Sequence, residues 1–246
     1  MELTNRVILL TGARRVGAVV AAALAARGAD VALSYNRSQE EADEAASDVR
    51  AQDRRSMVVK ADVSSPVDCD ALVHAVDQHF GRIDVLINMA SIYRGVPFDD
   101  VGAAEWDAQL AVDLRGAFLC ARAVVPVMRR LGGGRIINFS DWVAASGRPR
   151  YKGYLSYYVA KAGVKALTEA LALELADDNI LVNAIAPGPV LAPDDLTPEQ
   201  KKAVEDAIPL KRWGGAMEVA KAVIALIDSD FITGETIRVD GGRHLD

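Results

Sequence analysis

The sequence predicts an α/β protein built on one doubly wound parallel sheet with helices on both faces. Three observations carry that reading. Short apolar runs rich in Val, Ile and Leu alternate with Ala-rich stretches of helical length along the whole chain. No internal repeat and no linker-like composition divides the 246 residues, so 1–246 reads as one domain. The first strand also runs into a glycine-containing turn that opens a helix, the context of a nucleotide-binding turn.

The elements follow in order. Arg6 to Thr11 is a buried strand ending at Gly12, and Gly17 to Arg27 is a helix closed by Gly28. Val31 to Tyr35 is the second strand, and Ser38 to Gln52 the second helix with Ser38 as its cap. Met57 to Lys60 and Ile83 to Asn88 are strands flanking a helix from Pro66 to Phe80. Glu105 to Arg130 reads as one long helix, with Pro126 threatening a kink near its end. A strand from Arg135 to Phe139 precedes the helix from Ala160 to Ala176, and Leu181 to Ala186 leads into Pro187-Gly188-Pro189. Residues 189–215 are irregular and proline-rich, with a short helix near Glu199 to Ala207. An excursion beyond a strand's carboxyl end is where a substrate lid lies. Ala216 to Ile227 is the final helix and Glu235 to Val239 the final strand.

Composition narrows the function. The chain is 51% hydrophobic and 25% charged with net charge −6, acids and bases interspersed, which argues against a nucleic-acid or membrane-surface partner. With no signal peptide and no run long enough to span a bilayer, a cytoplasmic location is the default expectation. Cys69 and Cys120 make no metal-ligand spacing and read as packing thiols, so no metal site is expected.

Two stretches carry chemistry. Thr11-Gly-Ala-Arg-Arg-Val-Gly17 lets the backbone approach a pyrophosphate at a helix N-terminus. The second strand ends in Tyr35-Asn36-Arg37, with no carboxylate to hold the ribose hydroxyls of NAD. Arg14 and Arg37 instead suit the 2′-phosphate of NADP(H). In Tyr151-Lys-Gly-Tyr-Leu-Ser-Tyr-Tyr-Val-Ala-Lys161, only Tyr157 has a lysine four residues on. A lysine cation one helical turn away would lower the phenol's pKa and fit it for proton transfer.

These landmarks together, with Asp62-Val63, Asn88-Met-Ala-Ser91 and Pro187-Gly188, resemble the classical short-chain dehydrogenase/reductase family from Arg6 to Gly242. The resemblance implies a Rossmann-type sheet of about seven strands in the order 3-2-1-4-5-6-7. It implies an NADP(H) site formed by Gly12, Arg14, Arg15, Val16, Gly17, Asn36, Arg37, Ser38, Asp62, Val63, Asn88, Ala90, Ser91, Tyr157, Lys161, Pro187, Gly188 and Val190. It also implies a tyrosine proton donor and a homodimer or homotetramer. The apolar helices Val159 to Leu175 and Trp106 to Met128 fit that assembly.

The departures from the family pattern bear on the substrate. Arg14-Arg15 stands where a middle glycine is usual, Asp113 where the catalytic asparagine is usual, and Asp141 where the substrate-orienting serine is usual, with Ser140 beside it as the alternative. Asp113 also reads as an ordinary helix hydrogen-bonding residue. The pattern is similar to the pteridine reductase branch. That likeness implies Asp141 and Tyr157 protonating a ring nitrogen, Tyr93 stacking on the pterin, and Ser91 and Arg15 holding pterin and cofactor phosphates. The leading expectation is therefore reduction of a pterin-like C=N bond. The alternatives are reduction of a 3-oxoacyl thioester or small ketone, and a non-catalytic NADP(H) sensor. Gly147-Arg-Pro-Arg-Tyr-Lys-Gly153 adds a basic lip suited to an anionic substrate tail.

Overall fold

The structure, a computed structural model, describes residues 1–193 and 196–245; Asp194 and Asp195, inside the expected lid, and Asp246 lie outside the described residues. Strands β1 (Val7–Thr11), β2 (Asp30–Tyr35), β3 (Ser56–Lys60), β4 (Val85–Asn88), β5 (Gly134–Phe139), β6 (Ile180–Pro187) and β7 (Thr236–Val239) form one parallel sheet. Its order is β3-β2-β1-β4-β5-β6-β7, the order that the resemblance implies. Chain direction across the sheet reverses between β1 and β4, so the ligand crevice opens beyond their carboxyl ends.

Alternate residues of each central strand feed two apolar layers. Ile8, Leu10, Val31, Leu33 and Ile87 pack against α1 (Val16–Ala25), α2 (Gln39–Arg50) and α9 (Ala216–Asp228). Val7, Leu9, Leu86, Ile136 and Val182 pack against α3 (Pro66–Phe80), α5 (Gly116–Arg130) and the end of α7 (Leu155–Glu174). Helices on both faces explain why β1, β4 and β5 are buried along their whole length. Cys69 and Cys120 meet in this second layer as buried thiols, their sulfurs 3.7 Å apart.

The boundaries show where local signals hold. For α3, Pro66 sits in the first turn, the Ser65 hydroxyl accepts from the Asp68 N–H at 3.3 Å, and Gly81 closes the helix at φ 76°. Ser38 precedes α2 but makes no side-chain cap. The expected single long helix is three pieces: α4 (Ala103–Leu110), a π-helical turn (Ala111–Arg115) and α5. The irregularity is that turn, not Pro126. α5 runs through Pro126 because Val124, Val125, Val127 and Met128 are buried around it, which offsets the lost backbone bond. A four-residue helix, α6 (Trp142–Ala145), and the early start of α7 at Leu155 are additions to the sequence reading. The 189–215 excursion carries α8 (Pro198–Asp206), opened by a Thr197/Gln200 capping box. Its ends are tied together: the Gly214 N–H donates to Pro189 O at 3.1 Å and the Gly215 N–H to Val190 O at 2.8 Å.

At the opposite edge Asp84 joins the starts of β1 and β4. Its carboxylate accepts from the Val7 N–H at 2.9 Å, Arg6 Nη1 at 3.0 Å and Arg82 Nη2 at 2.7 Å. Burial would raise its pKa, but the Arg82 and Val7 hydrogen bonds and both guanidinium charges hold it below the usual carboxylate value. Asp84→Asn should therefore cost about 3 kcal/mol near neutral pH, a drop of roughly 6–12 °C in melting temperature. A depressed folded-state pKa gives stability that is present above the unfolded value and lost as pH falls through the folded one. Thermal melts of wild type and variant should thus converge as pH drops below about 4.

Candidate active site

The site lies where β4, β5 and α7 meet. α7 already includes Tyr157, so Tyr157 and Lys161 stand one turn apart as the spacing requires. Lys161 is 3% exposed, and a buried ammonium must be paired. Its Nζ donates to Phe139 O at 2.9 Å and forms an ion pair with Asp113 Oδ1 at 3.0 Å, while lying 5.6 Å from the centre of the Tyr157 ring. Asp113 thus takes up the charge expected to act on the phenol. Tyr157 is not made more acidic: burial first, then the Asp141 and Asp113 carboxylates, push its pKa well above the ordinary value. The expected lowering by lysine is corrected accordingly. Tyr157 holds its proton and is arranged as a donor.

The π-helical turn aims Asp113 inward, the use to which such turns are commonly put. Its carboxylate also accepts from the Ile92 N–H at 2.9 Å, from Gln109 Nε2 at 2.8 Å and from the Ser91 hydroxyl. Ser91 is therefore engaged with Asp113. Gln109, buried on α4 and also donating to Ile92 O at 2.8 Å, is a residue that sequence reasoning missed. Its signal was the four-residue spacing to Asp113 on one helix.

Asp141 ends β5's extension and caps α6: Oδ1 accepts from the Val143 N–H at 2.8 Å. Oδ2 accepts from the Tyr157 hydroxyl at 3.1 Å. Ser140 is turned away, its hydroxyl donating to the backbone carbonyl of Lys161 at 2.8 Å, so Asp141 holds the place beside the tyrosine. Burial raises the Asp141 pKa, against the opposing Val143 N–H, Tyr157 hydroxyl and Lys161 charge. Beyond this pair opens a pocket walled by Tyr93, Trp142, Tyr151, Tyr154, Tyr157 and Tyr158. Tyr93 stacks on Tyr154 at 5.0 Å and meets the Tyr157 ring edge-on at 5.1 Å. Trp142, unassigned from sequence, belongs to the pocket wall with Tyr151, Tyr154 and Tyr158, which the sequence leaves as packing or substrate-wall candidates.

The nucleotide end is assembled from the expected turns. Gly12 (φ 83°) leaves only 2.9 Å between an added Cβ and the Ala90 nitrogen, and at Gly17 an added Cβ would lie 2.2 Å from the Gly12 carbonyl oxygen. Neither position admits a side chain. α1 begins at Val16 with no acid in its first turn, leaving its positive end open to an anion. Arg14 pairs with Glu41 at 2.9 Å, an exposed contact too weak to fix it. Arg15 adopts φ 50°, ψ −102°, unusual for a non-glycine residue, and its Nη2 donates to Ala192 O at 2.8 Å, linking the turn to the excursion. At the ends of β2 and β3, Ser64 first, then Asn36 and the Arg37 charge, lower the Asp62 pKa despite partial burial. Val63 packs on Gly116. Asn88 bonds Asn138 at 2.9 Å, and the Thr11 hydroxyl accepts from the Met89 and Ala90 N–H groups. Pro187 and Gly188 end β6, Gly188 held so close to Asp240 that a Cβ would lie 2.5 Å from it. Val190 is buried in the α1–α9 layer. The glycine turn, unblocked helix end, Asn36, Arg37 and absence of a carboxylate at the end of β2 fit a phosphorylated dinucleotide. A nicotinamide held there would carry the hydride.

A family model described as enoyl-(acyl carrier protein) reductase matches residues 12–244. The 3-oxoacyl-(acyl-carrier-protein) reductase of Staphylococcus aureus is 36% identical over 250 residues, covering 100% of both chains. Among solved structures, acetoin dehydrogenase from Enterobacter cloacae superposes with TM-score 0.88 at 35% identity, covering 98% of this chain and 96% of that one. A double mutant of a Serratia marcescens short-chain dehydrogenase/reductase gives TM-score 0.91 at 28% identity, covering 99% of this chain and 100% of that one.

If Asp113 neutralises Lys161, Asp113→Asn should free the ammonium to act on the phenol. The tyrosinate absorbance titration assigned to Tyr157, taken as the difference from Tyr157→Phe in each background, should then move down by about one pH unit or more. An unmoved titration would show that Asp113 does not mask the lysine.

Proposed function

The chain belongs to the classical short-chain dehydrogenase/reductase family of oxidoreductases, and on that footing we propose that it is an NADPH-dependent reductase of a small planar ring with a polarised C=N bond, of the dihydropteridine type. The observation that carries this reading is the Asp141 carboxyl 3.1 Å from the Tyr157 hydroxyl in a tyrosine-walled pocket. Flat aromatic walls suit a planar ring. A carboxyl group accepts from the N–H groups of an amino-oxo ring, and its raised pKa lets it also hold a proton. Tyr157 donates its proton to the ring nitrogen as that nitrogen becomes basic, and Asp141, hydrogen-bonded to Tyr157, passes a proton to the phenolate. Lys161, fixed by Phe139 O and Asp113, holds the floor of the site.

A second reading, reduction of a 3-oxoacyl thioester or small ketone, is favoured by the full-length likeness to the S. aureus reductase. In that case the protonated form of Asp141 stands in for the serine, because a carboxylate would repel the developing oxyanion. A non-catalytic sensor has no need of Tyr157, Lys161 and Asp141 so closely interlocked.

The 189–215 excursion is the lid of this reading. The assembly is a homodimer or homotetramer: Phe118 on α5 and Leu155 and Leu173 on α7 are exposed, and a second copy would cover them. Light scattering should return at least twice the chain's 26.3 kDa, and a monomer at micromolar concentration contradicts it.

The central test follows NADPH loss with a dihydropteridine and an acetoacetyl thioester side by side. The dihydropteridine should be turned over faster, and Tyr157→Phe should lower kcat by roughly 10²–10⁴ while NADPH still binds. Turnover of the thioester alone transfers the function to the second reading. In the same assay Arg37→Asp should raise KM for NADPH far more than for NADH; equal effects remove the 2′-phosphate contact.

A further inference from the structure

The aromatic pocket is lined by two chemically different sets of groups. Tyr157 and Asp141, the only acid among its described lining residues, form one. Trp142 and Arg150 belong to the other, the Arg150 guanidinium lying 5.5 Å and the Arg243 guanidinium 5.6 Å from the indole ring centre. Trp142 is 4% exposed, so the indole is a fixed plate for both. Tyr151, half exposed, meets Trp142 edge-on at 6.4 Å; partial burial raises the pKa of its hydroxyl, with the Arg243 and Arg150 charges acting against it and the Asp141 charge with it. Arg150 is itself a lining residue, while Arg243 comes from the far end of the chain, after β7. Between Trp142 and Leu155 the sequence holds Arg148, Arg150 and Lys152 and no carboxylate, in a protein of net charge −6.

From this we infer that the Trp142 side of the pocket is an anion subsite, and that the physiological substrate carries a carboxylate or phosphate apart from the bond that is reduced. The Arg150–Trp142–Arg243 stack receives the anion while Tyr157 and Asp141 receive the reducible group. The arrangement gives polarity to a pocket whose tyrosine walls would otherwise accept a flat ring in either direction. Guanidinium groups are suited to the task because they bind planar carboxylates and phosphates through paired N–H donors. The inference rests on the reading of the catalytic end given above, but the anion subsite can be tested apart from it.

Two measurements separate the parts. In the first, NADPH-loaded protein is titrated with benzoate and with phenyl phosphate, following tryptophan fluorescence and heat. Binding should be seen with one or both probes, should weaken with added salt, and should fall roughly tenfold or more in a double variant Arg150→Gln, Arg243→Gln. Arg150→Lys in place of Arg150→Gln should restore part of it, which a merely unfolded site would not. The stronger of the two probes identifies the tail as carboxylate or phosphate. In the second, a reducible ring bearing a carboxylate side chain is compared with its neutral amide. The carboxylate should have the lower KM in wild type, and the double variant should remove that difference with little change in the ratio of kcat values. If neither ring is reduced while benzoate or phenyl phosphate binds as expected, the ring reading falls and the anion subsite stands. If no probe binds, or if binding is the same in wild type and double variant, the subsite is overturned.

Discussion

The buried ion pair between Lys161 and Asp113 governs the rest of the site. An ammonium 3% exposed is a large desolvation cost, and this fold meets it with a carboxylate at 3.0 Å and a backbone carbonyl at 2.9 Å. The carboxylate is in turn loaded with donors from Ser91, Ile92 and Gln109, which hold it in place. With the lysine charge taken up locally, the phenol of Tyr157 is left facing two acids. Its proton becomes hard to lose, so the phenol rests in its protonated form.

The sheet was legible because its evidence is redundant. Every central strand is buried on both faces, and α1, α2, α3, α5, α7 and α9 turn apolar sides to the layers that flank it, so burial leaves a periodic mark. Tyr157 and Lys161 were legible for a similar reason: a helix fixes what a four-residue spacing means. Ser38 shows the limit, since a capping residue type in a capping position makes no cap when its backbone is at φ −103°, ψ 67°. The sign of the Tyr157 shift was not legible, because it depends on which acid reaches the lysine first, and that acid arrives from a π-helical turn. A five-residue turn inside an apparently continuous helix has no composition of its own. α6 was hidden similarly, being four residues long and held by an Asp141 cap rather than by its own propensity.

The aspartate beside the tyrosine brings likeness and geometry into tension. The chain is 36% identical along its length to a 3-oxoacyl-(acyl-carrier-protein) reductase, yet a shared scaffold does not by itself fix the substrate. The wall of the pocket beside Tyr157 comes from Tyr93, the α6 region and the start of α7, which is where this sequence is richest in aromatic rings.

The excursion from 189 to 215 offers a different kind of lesson. Its two ends are stitched to each other by the Gly214–Pro189 and Gly215–Val190 backbone bonds before the chain goes on to α9. A loop anchored at its neck can lengthen, shorten or change sequence at an entropic cost that grows only with the logarithm of its length, and the sheet beneath does not register the change. The neck therefore decouples the two: a change of sequence inside the excursion leaves the end of β6 and the start of α9 tied where they are.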